Sequence, residues 1–279
     1  MKKILTVVTA SVVVLGLSVT TSVQAKPEED LAKFQEYFQK KFPKTPLADF
    51  QNGVYSIDAP SREQWEEMEE FPPYELALDD GKMLWGEKFA NGKSYADCLG
   101  ADVKAIRVKY PYYDEKNDTV VTLEGDLNKC RVDNGEKPLK WKKGKMAALS
   151  AYVAYEGRGN KIDVKIPNEK AQAWYDKGKN FFYAKRGQLN LACADCHVYS
   201  AGQNIRADKL SPGIGHTTHF PVYRSKWGSL GTLHRRYGGC NKQVRAKDFK
   251  AQSDEYKALE YFQAYMSNGL ELNGPGARK

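Results

Sequence analysis

Cys193-Ala194-Asp195-Cys196-His197 is the stretch on which the reading of this chain turns. Two cysteines with two residues between them, followed at once by histidine, form the pattern through which a c-type haem is attached by two thioethers and its iron taken by the adjacent imidazole. A thioredoxin-type redox pair would want a βαβ context that is missing here. Half a zinc site would want a second Cys-x-x-Cys, which is absent. Neither alternative accounts for His197.

The flanks suit a small helical haem domain. Upstream, Trp174 to Arg186 is rich in aromatic and basic residues and predicts a helix ending near Gly187. Downstream, Leu259, Phe262 and Met266 recur at helical spacing with Tyr261 and Tyr265 alongside, which predicts a second helix crossing the first.

The chain also repeats itself. Tyr95-Ala96-Asp97-Cys98-Leu99 matches the haem motif with Tyr for the first Cys and Leu for the His. Cys130 is followed 19 residues later by Leu149 in Ala148-Leu149-Ser150-Ala151-Tyr152-Val153-Ala154-Tyr155, and Cys240 by Leu259 at the same offset in Ala258-Leu259-Glu260-Tyr261-Phe262-Gln263-Ala264-Tyr265. The expected fold is therefore mainly α, two tandem cytochrome c-like domains of which only the second carries haem.

By that alignment Cys98 matches Cys196, and Cys130 matches Cys240. With no haem between them, Cys98 and Cys130 are expected to form a disulfide, an exported chain favouring oxidation. Closing a loop of about 30 residues stabilises by a few kcal/mol in the chain-entropy account. Two separate reduced thiols are the alternative.

Five cysteines then leave Cys240 over, within His234-Arg235-Arg236-Tyr237-Gly238-Gly239-Cys240. Two glycines would let the backbone approach a flat cofactor, and Arg235, Arg236, Lys242 and Arg245 would favour a thiolate, a competent sixth ligand for haem iron. A free or intermolecular cysteine is the plainer reading. His216, His219 and His234 stay open as other ligands, whereas Met266 shares a face with Leu259 and Phe262 and reads as core.

Arg186-Gly187-Gln188-Leu189-Asn190 before the haem motif, taken with Arg235-Arg236-Tyr237-Gly238-Gly239-Cys240, resembles the SoxA family, over roughly residues 75 to 275 and on its single-haem branch. Tyr95 and Leu99 exclude a first haem of the dihaem kind. The resemblance implies one covalently bound haem c on Cys193 and Cys196, axial ligation by His197 and by Cys240 as a cysteine persulfide, Arg236 in the active site, and a disulfide where the first haem is lost. It implies L-cysteine S-thiosulfotransferase activity: thiosulfate joined oxidatively to the C-terminal cysteine of the SoxYZ carrier. Electrons would pass through a SoxX-type cytochrome c subunit to an electron-accepting cytochrome c, with room for a small third subunit. A plain electron-transfer cytochrome and a haem-based sensor are the rival readings.

Length and composition bound the rest. Lys2 and Lys3, an apolar stretch from Ile4 to Val19 and the small-residue pattern Val23-Gln24-Ala25 predict a cleaved secretory signal over residues 1–25, hence a periplasmic protein. Nothing after Ala25 is apolar enough to span a bilayer. The net charge of +8 is spread out and broken by acidic runs such as Glu66, Glu67, Glu69 and Glu70, which excludes a nucleic-acid binder and suits small anions. The expected organisation is an N-terminal extension over 26–75, a haem-less domain over 76–165 and a haem domain over 166–279. Within the extension, a helix near Leu31 to Phe42 and a loop containing Pro43, Pro46 and Pro60 are expected. Lys137 to Lys145 reads as a solvated turn.

Overall fold

The computed structural model describes residues 26–278, so the predicted signal segment lies outside the described residues. Helix α1 spans Pro27–Lys41, with proline at its start and Glu28, Glu29 and Asp30 in its first turn, where carboxylates suit the positive end of the helix dipole. Its apolar face carries Phe34 and Phe38. The expected proline-rich loop is only partly loop. A 3₁₀ segment at Leu47–Ser56 is followed by α2 at Ala59–Glu70, because Pro60 sits in the first turn, where its missing N–H costs nothing.

From there one order of elements occurs twice. In the first run, α3 (Glu75–Gly86), the short α4 (Tyr95–Leu99), the hairpin β1–β2 (Tyr112–Asp114 and Thr119–Val121), α5 (Leu123–Asp133) and α6 (Lys145–Glu156) follow one another. The second run opens with α7 (Glu169–Tyr183), ending three residues earlier than the sequence suggested, and a π-helical turn at Asp195–Tyr199. After a two-residue hairpin, β3 (Asn204–Ile205) with β4 (Asp208–Lys209), come the hairpin β5–β6 (Val222–Arg224 and Ser229–Gly231), α8 (Leu233–Gln243) and α9 (Asp254–Tyr265). The hairpins, the threonines before α5 and α8, and the cysteines within those helices all recur 110 residues apart. Finally β7 (Gly276–Arg278) pairs in parallel with β5, Val222 opposite Gly276.

The two most extensive helix contacts are α3 on α6 and α7 on α9. The two runs also exchange hairpins. Tyr113 and Val120 of β1–β2 join the core around α7 and α9. Leu230 and Tyr223 of β5–β6 pack with Ala147 and Ala151 of α6. Helix α1 lies on the second run, Phe34, Phe38 and Phe50 sharing a core with Tyr175 and Phe182, so the extension covers that half. The Lys137–Lys145 stretch is more than a solvated turn. The Trp141 carbonyl accepts from Thr232 Oγ1 at 3.1 Å, and the Lys142 carbonyl from the Thr232 N–H at 3.2 Å. It thereby seats the start of α8 on the first run.

Candidate haem site

Asp195 builds the haem-motif turn from within: its carboxylate accepts from the Ala192 N–H at 2.7 Å. Asp97 does the same in the first run, accepting from the Ser94 N–H at 2.7 Å. A shared aspartate thus makes two like turns, but only one carries Cys and His at the reactive positions. Around the other, Tyr95 fills the interior, stacked on Trp85 with ring centroids 5.8 Å apart, its hydroxyl accepting from Arg131 Nη1.

The Arg186–Asn190 stretch ties the haem motif to the end of α8. Gly187 adopts φ 69°, and a β-carbon there would lie 2.1 Å from the Val244 carbonyl oxygen. The N–H groups of Gln188 and Leu189 donate to the carbonyls of Arg245 and Val244. Arg186 holds the same loop from behind, its guanidinium 3.5 Å from the Phe181 ring centroid and bonded to the Phe181 carbonyl. The sequence marks these five residues by the helix end expected near Gly187 and by their part in the family resemblance, but their bonds to the end of α8 are visible only in the fold.

His197 is aimed by its backbone surroundings. Its Nδ1–H donates to the Ser211 carbonyl at 3.0 Å, which leaves Nε2 bearing a lone pair, the tautomer a metal ligand needs. Burial holds its imidazole down at about 4, so near neutrality the ring is uncharged and able to ligate. Ser211 Oγ reaches His216 Nε2 at 3.1 Å, and Gln263 Nε2 donates to His216 Nδ1 at 3.0 Å. Tyr237 closes this buried chain by donating to Gln263 Oε1. A polar network therefore runs from His197 to a residue three positions before Cys240.

The structure gathers Cys193, Cys196 and Cys240. Burial first, and then the nearby Cys240, push the Cys193 thiol up to about 12, and the same two causes raise Cys196. Arg236 acts electrostatically on both Cys196 and His197. Two of the other cations singled out beside Cys240, Arg235 and Lys242, are engaged elsewhere. Arg235 lies 4.2 Å from the Trp227 ring centroid and donates to Ser229 and Leu230, and Lys242 pairs with Asp248 at 3.5 Å. In their place the fold brings Arg224, from β5. Burial and then Arg236 depress its guanidinium, with Cys240 also within range. Arg224 was invisible to motif reading because it stands 16 residues from Cys240 and reaches it through a hairpin.

The other candidate ligands are occupied. His216 sits in the network above, and His219 stacks on Phe220 with Thr218 Oγ1 3.2 Å from its Nδ1. His234 accepts the Gln252 N–H at 3.0 Å, and Met266 is a core residue, 2% exposed. Two thiols one turn apart, an imidazole with a free Nε2 and a third thiol facing both form a donor set that fits a covalently attached haem. A β-carbon on Gly239 would meet nothing nearer than Arg236 Nη1 at 3.9 Å, leaving the backbone beside Cys240 open to a flat group.

A family model described as "SoxA/TsdA, cytochrome c domain" matches residues 80–162. The chain is 56% identical, over 92% of its length and 89% of the relative's, to the L-cysteine S-thiosulfotransferase subunit SoxA of Chlorobaculum tepidum. It belongs to the SoxA family. The SoxA subunit of Allochromatium vinosum is 55% identical, with 91% of each chain covered. The crystal structure of SoxXA from P. pantotrophus superposes with a TM-score of 0.71 at 31% identity, covering 78% of this chain and 84% of that one. A mainly helical SoxA chain with a cytochrome c domain implies haem c. Among its described residues no helix is long and apolar enough to cross a membrane.

Proposed function

We propose that this chain is the catalytic, single-haem subunit of a SoxAX-type L-cysteine S-thiosulfotransferase. It comprises two tandem cytochrome c-like domains, 76–165 closed by the Cys98–Cys130 disulfide and 166–279 holding one haem c, behind an extension over 26–75. After loss of residues 1–25 it acts in the periplasm. Cys193 and Cys196 would carry the thioethers, and His197 and Cys240 would ligate the iron. When bound, the haem supplies a one-electron acceptor.

The observation that carries this reading is the convergence of Cys240 on both thioether cysteines with Arg236 and Arg224 beside it. A thiosulfate dianion needs cations, and sulfur transfer needs a sulfur that exchanges and is regenerated. Arg236 opposes the substrate's charge, Arg224 adds a second cation, and Cys240, as thiolate or persulfide, meets the incoming sulfur. Joining a thiol to thiosulfate forms one S–S bond and releases one proton and two electrons. A second acceptor is therefore required, which supports a SoxX-type haem partner passing electrons to cytochrome c. The sulfur acceptor is the C-terminal cysteine of the SoxY subunit of SoxYZ.

Low-temperature EPR of the ferric, periplasmically matured protein tests the ligand set. A low-spin, thiolate-type signal that is lost in Cys240→Met, together with loss of thiosulfate coupling, is the expected result. A histidine- or methionine-type spectrum unchanged by the substitution would leave a plain electron carrier as the better reading.

A further inference from the structure

A single π turn leaves its last carbonyls without helical partners, so the turn that carries His197 must find donors elsewhere. The Ser200 N–H closes it on the Asp195 carbonyl at 3.0 Å. The carbonyls of His197, Val198 and Tyr199 are then served from outside. That of His197 accepts the Gly213 N–H at 2.7 Å. That of Val198 accepts from Tyr37 Oη at 3.1 Å and from Lys41 Nζ at 3.0 Å, and that of Tyr199 from Lys41 Nζ at 2.6 Å. Two side chains of the N-terminal extension therefore hold the two residues that directly follow the proposed axial histidine.

Helix α1 is placed to do this. Tyr37 and Lys41 lie four residues apart, neighbours on one face of the helix, beside the buried Phe34 and Phe38. Near its start the helix is anchored on α7 through Asp30, which accepts from Tyr175 Oη at 2.9 Å and from Lys179 Nζ at 2.5 Å. Its middle touches the loop opposite the turn. A β-carbon on Gly213 would stand 3.2 Å from the Phe34 ring and 3.1 Å from the His197 carbonyl oxygen. Helix α1 thus braces α7 at one end and the haem-motif turn at the other, and its Lys41 brings a positive charge to carbonyls at the end of that turn.

Packing alone does not fix the turn on this side. A cleft of about 250 Å³ opens between α1, α7 and the turn, lined by Tyr37, Tyr183, Val198 and Tyr199 among others, so the polar bonds from Tyr37 and Lys41 are what span it. The matching turn of the first run, Tyr95–Leu99, is tied differently, through the Cys98–Cys130 disulfide. Cys196, in the place of Cys98, is a free thiol, available for a thioether. The half that forgoes the disulfide is the half on which α1 lies.

We propose that the N-terminal extension clamps the haem turn, Lys41 and Tyr37 fixing the backbone on which the His197 imidazole is mounted. Both are positioning residues, acting through the Val198 and Tyr199 carbonyls. Their effect on the iron rests on the reading of His197 as a haem ligand; the clamp itself does not.

The test uses the full-length, periplasmically matured protein. Lys41→Met keeps the apolar stem and drops the charged donor, and Lys41→Arg keeps the charge. Lys40→Met, which removes only an exposed ion pair with Glu36, is the control. Amide hydrogen exchange in peptides containing Val198 to Ser200 should speed up by about tenfold or more in Lys41→Met, the effect of one charge-assisted hydrogen bond, with peptides of α9 unchanged. The ferric low-spin EPR lines of that variant should broaden, because a loosened turn spreads the orientations of the His197 ring. Lys41→Arg should recover much of both effects, and Lys40→Met should match the wild type. Should Lys41→Met not accumulate, Tyr37→Phe replaces it, and the loss of one neutral hydrogen bond should speed exchange about threefold. Unchanged exchange in the turn overturns the clamp. Faster exchange with unbroadened EPR lines overturns the positioning of His197. A mature wild type whose mass lacks a bound haem refutes the ligand reading instead, and the exchange rates still decide the clamp.

Discussion

Gly178 of α7 crosses Ala258 of α9 so closely that a β-carbon built on the glycine would stand 2.0 Å from the Ala258 carbonyl oxygen and 2.8 Å from Phe262 Cβ. Gly81 of α3 meets Ala148 of α6 in the same way, at 2.2 Å from the carbonyl and 2.9 Å from Tyr152 Cβ. Both partners differ by 110 positions, and each glycine sits where two helices touch backbone to backbone.

Alanine at either glycine is expected to destabilise by about 3 kcal/mol or more, the upper end of the overpacking range, because backbone must move. The helix-propensity gain of about 1 kcal/mol from replacing glycine is too small to offset this. Gly86→Ala, where an added carbon meets nothing within 4 Å, is the control and should be neutral or stabilising. Urea unfolding of the three variants measures it. Gly178→Ala should also lower haem content, whereas Gly81→Ala should not.

Cys98 and Cys130 are joined in the structure, with their Cα atoms 5.9 Å apart and a separation of 32 positions in sequence. Replacing both by alanine should cost about 3–4 kcal/mol by the loop-closure estimate for that span. The haem absorption spectrum should be retained, since Tyr95, Leu123 and Leu127 hold that interior without a cofactor. A double variant as stable as the wild type would show that packing alone closes the first half.

Removing Arg224 should act on substrate and leave the haem alone. One charge-assisted contact contributes about 1.5–3 kcal/mol, so Arg224→Gln should lower kcat/KM for thiosulfate coupling about 10- to 100-fold with an unchanged ferric spectrum. Arg224→Lys should recover part of the loss. Steady-state kinetics of the complex with its partners reads this directly, and unaltered kcat/KM would assign Arg224 to packing against Trp227, 5.7 Å away.

In chain exported without haem attachment, Cys193 should resist alkylation. A thiol held at about 12 leaves roughly one part in ten thousand as thiolate at pH 8. Mass spectrometry after a brief iodoacetamide pulse at pH 8 should find Cys196 modified ahead of Cys193, because Cys196 is the less enclosed of the two. Equal labelling would place Cys193 in contact with solvent.

Much of this molecule was legible along the chain because its chemistry is local. Thioether attachment needs two thiols on one turn and iron ligation an adjacent imidazole, so the roles proposed for Cys193, Cys196 and His197 come from their spacing. The duplicated Ala-Leu…Ala-Tyr segments, each 19 residues after a cysteine, expose the recurrence of elements because helix crossings constrain every third or fourth side chain. The unpaired fifth cysteine follows from counting. What sequence could not supply are relations formed at long range. Arg224 replaces Arg235 and Lys242 at the site because a hairpin and a helix direction, not proximity in sequence, decide which guanidinium faces Cys240. The extension forms α2 where three prolines suggested loop, since Pro60 falls in a first turn that tolerates it. The pairing of Glu124 with Ser150 and of His234 with Glu260 exists only once the last two helices of each run pack together. A polar group in the interior is defined by what surrounds it, and those surroundings come from a helix some 26 residues further along the chain.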